Sequence, residues 1–207
     1  MHGCTGRTSF YAYYGVSFSL SSAEDTDGQP GAEIIVLWAG ANGANGISVI
    51  HDRTGTTKTY NYQGLQFSIN SVTDTDGQPG AEIVVLWAGD LGANGIDVIH
   101  DRTGTTKRYS YQGLQFSINS VTDTDGQPGA EIIVLWAGDL GANGINVIHD
   151  STGTTNTYTL NTTFAIGGVR DYDGIAGAEI CYSWFSGNTR YSLIVDRLRI
   201  IVATTGC

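Results

Sequence analysis

The chain has 207 residues, 41% of them hydrophobic, which is enough for one domain with a sizeable core. Ten basic against twenty acidic residues leave a net charge of −10, the wrong sign for nucleic acid or an anionic membrane surface. No apolar run approaches the ~20 residues of a membrane helix, so membrane insertion is not expected. The opening Met1-His2-Gly3-Cys4 has no basic, apolar leader pattern, and an already processed chain would look the same.

Taken in order, the chain opens with an extra copy of a segment that recurs later. Residues 8–18 match Thr57–Phe67, and Tyr11, Tyr60, Tyr109 and Tyr158 fall 49 residues apart. An acidic loop follows, Asp25-Thr26-Asp27-Gly28, and it recurs at Asp74, Asp123 and Asp171 after 49, 49 and 48 residues. Each copy runs on to Gly-Ala-Glu-Ile and a tryptophan: Trp38, Trp87, Trp136 and Trp184. A repeat of this length is one supersecondary unit that buries its apolar face only against its neighbours.

The repeat at 65–113 shows the pattern most clearly. Gln66–Asn70 alternates as a short strand, and Ile83–Ala88 is a continuous apolar strand whose Trp87 belongs to the core. Ile96–His100 is a third strand after the turn-rich Gly89–Gly95 connection. Asp101-Arg102-Thr103-Gly104 is a tight turn, and Thr106–Tyr111 is a polar, alternating outer strand. With no helical period anywhere, the expectation is all-β: a single four-bladed β-propeller over 1–207, with four antiparallel strands per blade. The repeats run approximately 17–64, 65–113, 114–162 and 163–207, with 5–16 as a closing strand. The last repeat replaces the Asp-Arg-Thr-Gly turn by Asp196-Arg197-Leu198-Arg199, so its final hairpin is not expected to form. The N-terminal strand then completes the last blade, either in its own chain or in the next molecule of a fibre; effective concentration favours the first. Cys4 and Cys207 flank that seam and are expected to form a disulfide, while Cys181, inside an apolar run, reads as a small buried residue.

Twelve of the twenty acids lie in the four loops, a repulsive arrangement unless cations sit among them. Alternate positions converge on one point: Asp25, Asp27, Gln29, Gly31 and Glu33; Asp74, Asp76, Gln78, Gly80 and Glu82; Asp123, Asp125, Gln127, Gly129 and Glu131. Carboxylates, an amide oxygen and a glycine carbonyl form the all-oxygen shell that Ca²⁺ requires. In the last loop Ile175 replaces the glutamine, leaving Asp171, Asp173, Gly177 and Glu179. An EF-hand is excluded, because its glutamate falls at position 12 and helices flank it. The string Asp-x-Asp-Gly-x-x-x-x-Glu-Ile before an apolar strand resembles the FG-GAP/VCBS-type repeats of integrin-like propellers, over about residues 17 to 197. That resemblance implies calcium bound between the first two strands of each blade. It departs from the family in the glutamine at the fifth position, which implies weaker binding, and in the count of four blades where the family forms seven.

Other signals are weaker. His51, His100 and His149 recur before an aspartate, and their expected role is to orient the Asp-Arg turn. Gly40–Gly46 opens no helix and is a connecting loop rather than a phosphate site. Tyr60, Tyr62, Tyr109 and Tyr111, with Tyr11 and Tyr13, form a face that pairs across strands or docks a sugar ring or a second subunit. Asn161-Thr162-Thr163 is an acceptor sequence for glycosylation of a secreted chain. No catalytic constellation is visible, and near-identical repeats argue against convergence of different groups on one point. The expectation is therefore a non-enzymatic, extracellular or cell-surface, calcium-stabilised protein of structure or adhesion, with self-association or a glycan as partner. The alternative is a multivalent lectin.

Overall fold

The computed structural model describes residues 9–14, 16–160, 162–186 and 188–207. Among the described residues sixteen strands form four separate antiparallel sheets, each a meander of four strands in chain order. The first sheet holds β1 (Ser17–Glu24), β2 (Glu33–Ala39), β3 (Asn45–His51) and β4 (Thr56–Asn61). The second holds β5 (Gln66–Thr73), β6 (Glu82–Ala88), β7 (Asn94–His100) and β8 (Thr105–Ser110). The third holds β9 (Gln115–Thr122), β10 (Glu131–Ala137), β11 (Asn143–His149) and β12 (Thr154–Thr159). The fourth holds β13 (Phe164–Arg170), β14 (Glu179–Ser186), β15 (Asn188–Val195) and β16 (Ile200–Thr204). The strands read from the 65–113 repeat are all present, and the acidic loop joins the first two strands of every blade.

The two central strands of each blade carry the β-branched residues because both their faces are covered. Three apolar clusters join the blades in sequence. Ile35, Ile47 and Val49 of the first pack on Ile83, Val85 and Ile99 of the second. Val84, Ile96 and Val98 meet Ile132, Val134 and Ile148, and Ile133, Ile145 and Val147 meet Ile180 and Ile194. Trp87 lies across Gly95, where a Cβ would sit 2.8 Å from the indole, so a side chain there would displace the ring. Every first strand carries a bulge at the same place, at Ser21, Asn70, Asn119 and Gly167, where the register with the second strand shifts.

The acidic loops also touch one another. The backbone N–H of Ala81 donates to the Asp25 carbonyl at 2.7 Å, Ala130 to Asp74 at 2.9 Å, and Ala178 to Asp123 at 2.8 Å. Gly77 has φ +72°, and a Cβ on it would lie 2.6 Å from the Pro128 carbonyl oxygen of the next loop. Glycine here serves both the left-handed backbone and the close approach of the next blade.

Two expectations are overturned at the C-terminus. The last hairpin does form: Asp196–Leu198 makes a 3₁₀ turn and Arg199 takes the left-handed conformation (φ 54°) that Gly55, Gly104 and Gly153 adopt in the other blades. A non-glycine residue in that region costs about 1–2 kcal/mol, offset by the pairing of β15 with β16 from Val195↔Ile200 to Tyr191↔Thr204. The fourth strand of the last blade is therefore β16, and residues 9–14 are not in a strand; residues 5–8 and 15 of the expected closing strand lie outside the described residues. The disulfide joins Cys207 to Cys181, with Cα atoms 5.7 Å apart. Cys207 thus does not pair with Cys4, which lies outside the described residues, as does Asn161. The C-terminal tail folds back across the last sheet, so that Cys207 lies beside the bulge at Gly167.

Peptide mapping of the oxidised protein under non-reducing conditions should recover a Cys181–Cys207 cross-link. Cys181→Ser with Cys207→Ser should destabilise the last blade by about 3 kcal/mol in chemical denaturation, the scale for a loop of this length. Recovery of a Cys4–Cys207 peptide instead would refute the pairing.

Candidate metal centre

In each acidic loop the predicted carboxylates divide between two tasks. The first aspartate shapes the turn: Asp25 Oδ1 accepts the Gly28 N–H at 2.7 Å, and Asp74, Asp123 and Asp171 accept the equivalent glycine N–H at 2.6 Å. The second aspartate uses one oxygen on its own turn, as Asp27 Oδ1 accepts the Gln29 N–H at 2.8 Å. Its other oxygen turns inward. The glutamate is buried: Glu33 Oε2 accepts the Thr26 N–H at 2.8 Å, leaving Oε1 beside the inward oxygen of Asp27. Glu82, Glu131 and Glu179 do the same with Thr75, Thr124 and Tyr172. Gln29, Gln78 and Gln127 are exposed. Gly80, Gly129 and Gly177, expected as carbonyl ligands, press against the preceding loop, where their Cβ positions lie 2.9 Å from the carbonyl oxygens of Thr26, Thr75 and Thr124. Gly31, in the first loop, has open space at that position.

The third group in the cluster is a histidine. His51 Nδ1 lies 3.4 Å from Asp27 Oδ2 and 3.8 Å from Glu33 Oε1. His100 stands in the same way to Asp76 and Glu82, and His149 to Asp125 and Glu131. In each triad one potential ligand atom from each residue lies within 4.8 Å of the others, so each can hold a metal ion, and the three acids of the fourth loop meet the same condition. The histidines do more than orient a turn. Their threefold recurrence was the available sequence signal, but their separation in the chain from the loop acids concealed the contact.

Each histidine also reaches the next blade. His51 Nε2 lies 3.2 Å from Asp101 Oδ2, His100 Nε2 3.2 Å from Asp150, and His149 Nε2 2.9 Å from Asp196. These aspartates are fully or almost fully buried and collect further groups from the preceding blade. Asp101 accepts Thr26 Oγ1 at 2.9 Å and the Tyr60 hydroxyl at 3.1 Å, and pairs with Lys58 at 3.3 Å. Asp150 has the same set in Thr75, Tyr109 and Lys107. At Asp196, Asn156 replaces the lysine, alongside Thr124 and Tyr158. The fourth-strand tyrosines are consumed here: Tyr62 and Tyr111 stack on Phe67 and Phe116 of the next blade at 4.7 Å. They form no free face for a sugar, and the pairing runs between blades rather than across strands.

These surroundings set the charges. The carboxylates of Asp150 and Glu82 push His100 up to about 9 against the opposing effect of burial. Asp196 and Glu131 push His149 up to about 10. Burial alone would raise the Asp150 carboxyl, but His100, Thr75 and Lys107 hold it below the usual range. Burial beside Asp101 and Asp150 raises the phenols of Tyr60 and Tyr109.

The donor chemistry of the first three loops fits a divalent cation. Two carboxylate oxygens converge beside an imidazole nitrogen, which serves as a third ligand when the ring is neutral and as a counter-charge to both acids when it is protonated. The fourth loop also brings Asp171, Asp173 and Glu179 together, but with no imidazole beside them. Val195 stands where the histidine would be, and the Arg197 guanidinium pairs with both Asp173 and Glu179. Its positive charge takes the ion's place, so the ligand set Asp171, Asp173, Gly177 and Glu179 expected from the sequence already has its counter-charge. No protein-family model matches the chain, and no curated protein matches it.

Asp150→Ala should cost about 3 kcal/mol or more in denaturant unfolding, because it strands the buried His100 without its partner carboxylate. A loss under 1 kcal/mol would show that the aspartate does not hold the joint. His100 and His149 also predict a pH dependence. Their folded pKa values lie above the unfolded value of about 6.5. Their stabilisation is therefore complete below that pH and is lost as pH rises through about 9 to 10. Melting temperatures of chelator-treated protein should fall across this window, and His100→Gln should flatten the fall. A profile level from pH 6.5 to 10 contradicts the assignment.

Proposed function

We propose that the chain is a non-catalytic, calcium-stabilised repeat module of the propeller class that acts outside the cell in structure or adhesion. The observation that carries this reading is the reuse of one joint three times. Buried ionisable groups that elsewhere would be candidates for catalysis are consumed here in holding blade to blade. The hard carboxylate oxygens of the loops support calcium as the ion, with the imidazole beside the carboxylates rather than among its ligands. The disulfide supports an oxidising compartment. Among the described residues no helix is long and apolar enough to cross a membrane.

The two ends support assembly, either as a ring closed within one chain or head to tail between copies. Tyr11 donates to Asp52 at 2.9 Å, as Tyr60 does to Asp101, and Tyr13 stacks on Phe18 at 5.2 Å, as Tyr62 does on Phe67. Residues 9–14 thus lie on the first blade as the outer strand of a preceding blade lies on its successor. Phe18 and Leu20 on the first blade, and Ile200, Ile201 and Val202 on the last, keep apolar surface exposed, the area that closure or association would cover.

Calcium removal separates the possibilities. A site held at 100 times its dissociation constant contributes about 2.7 kcal/mol, or roughly 5–10 °C in melting temperature for a chain of this size. Excess EDTA should lower the transition by that order and added Ca²⁺ should restore it. An unchanged transition in EDTA, with a large drop in His100→Gln, would mean that imidazolium alone balances the loops.

A further inference from the structure

At the end of the blades opposite the acidic loops, a cleft opens between each pair of neighbours, bordered by the start of the first strand and the end of the second. The clefts have volumes of about 490, 540 and 400 Å³ and recur at equivalent positions. The first is walled by Phe18, Trp38 and Phe67, with Ser19, Asn45 and Gln66 between them. Gln66 and Phe67 also line the second cleft, and Gln115 and Phe116 line both the second and the third.

We propose that these clefts are binding sites for neutral saccharides, a ligand class that deepens the adhesion reading above and rests on it. Among the described residues no charged side chain lines any of the three, although the chain carries thirty acidic and basic residues. Such a lining disfavours phosphorylated, carboxylated and cationic ligands, whose charge it cannot pair. What remains is paired aromatic surface with amides and hydroxyls around it, suited to a pyranose: its C–H face packs on a ring and its hydroxyls meet amides. The volumes suit one or two sugar units. The rings are preset, since Phe67 and Phe116 are each stacked by a tyrosine of the preceding blade.

The clefts differ in one respect that grades them. Asn45 and Asn94 each donate Nδ2 to a backbone carbonyl, Leu65 at 2.8 Å and Leu114 at 3.0 Å, while their Oδ1 atoms are buried with no hydrogen-bond partner. Asn143 Oδ1 instead accepts the Thr162 N–H at 3.2 Å. A small side-chain adjustment brings the unmatched acceptors of the first two clefts to a ligand hydroxyl. The third has its acceptor already used and should bind more weakly.

The test uses the full calcium-loaded chain and a panel of methyl glycosides of neutral hexoses and N-acetylhexosamines, with sialic acid as the charged control. Binding is followed by tryptophan fluorescence and saturation-transfer NMR, and by a glycan array for avidity. At least one neutral glycoside should bind at millimolar concentration and sialic acid should not. Gln66→Ala, which alters an exposed residue of two clefts, should weaken binding roughly tenfold without change in melting temperature, and Phe18→Ala should remove the first site alone. No binding by any neutral glycoside, binding indifferent to both substitutions, or displacement of the glycoside by an uncharged peptide of higher affinity would overturn the proposal. The EDTA response is read separately, so an intact calcium-dependent scaffold that binds no sugar leaves the adhesion reading standing and removes only its ligand.

Discussion

The structure depends on a buried carboxylate at every joint between blades. Asp101, Asp150 and Asp196 are fully or almost fully shielded from water. A charge in that position is strongly unfavourable unless cations and hydrogen-bond donors surround it. All of those partners come from the preceding blade: a threonine of its acidic loop, its histidine, and the tyrosine and lysine or asparagine of its outer strand. The requirement is directional. A blade cannot satisfy its own aspartate, so its neighbour must be in place with loop and outer strand both correctly set.

This coupling explains why the acidic loop and the histidine behave as one device. The imidazole bridges the loop acids on one side and the next blade's aspartate on the other. Its charge state, or an ion bound beside it, therefore affects the fold of one loop and the docking of the following blade together. The last blade carries an independent solution. With valine in place of histidine, Arg197 swings into the carboxylate pair and supplies a permanent charge. The seat has been kept and its occupant exchanged. Positive charge is thus the constant requirement, and the group that delivers it is the variable.

Much of this was legible along the chain, and what escaped has a common cause. The strands, the tight Asp-Arg-Thr-Gly turns and the convergence of the loop acids all depend on residues within ten positions of each other. The role of His51 depends on Asp27, Glu33 and Asp101, which lie in another strand and another blade. The tyrosine face looked available because alternation places those side chains on one side of a strand. Only the next blade shows that side to be occupied. At the C-terminus a local rule misled directly: the absence of glycine after Asp196 argued against a hairpin. The pairing of β15 with β16 instead holds Arg199 in a conformation it would not choose alone.

From the residues alone came the repeat, the order of strands within it and the acidic character of one edge, because β-strand alternation, turn chemistry and charge density are properties of short segments. The tertiary structure decided which of those charges meet, which cysteine pairs with Cys207, and that uncharged aromatic clefts lie between the blades. Each of these joins side chains from different strands or blades. Their proximity follows from packing one sheet on another, and no spacing within a single repeat encodes it.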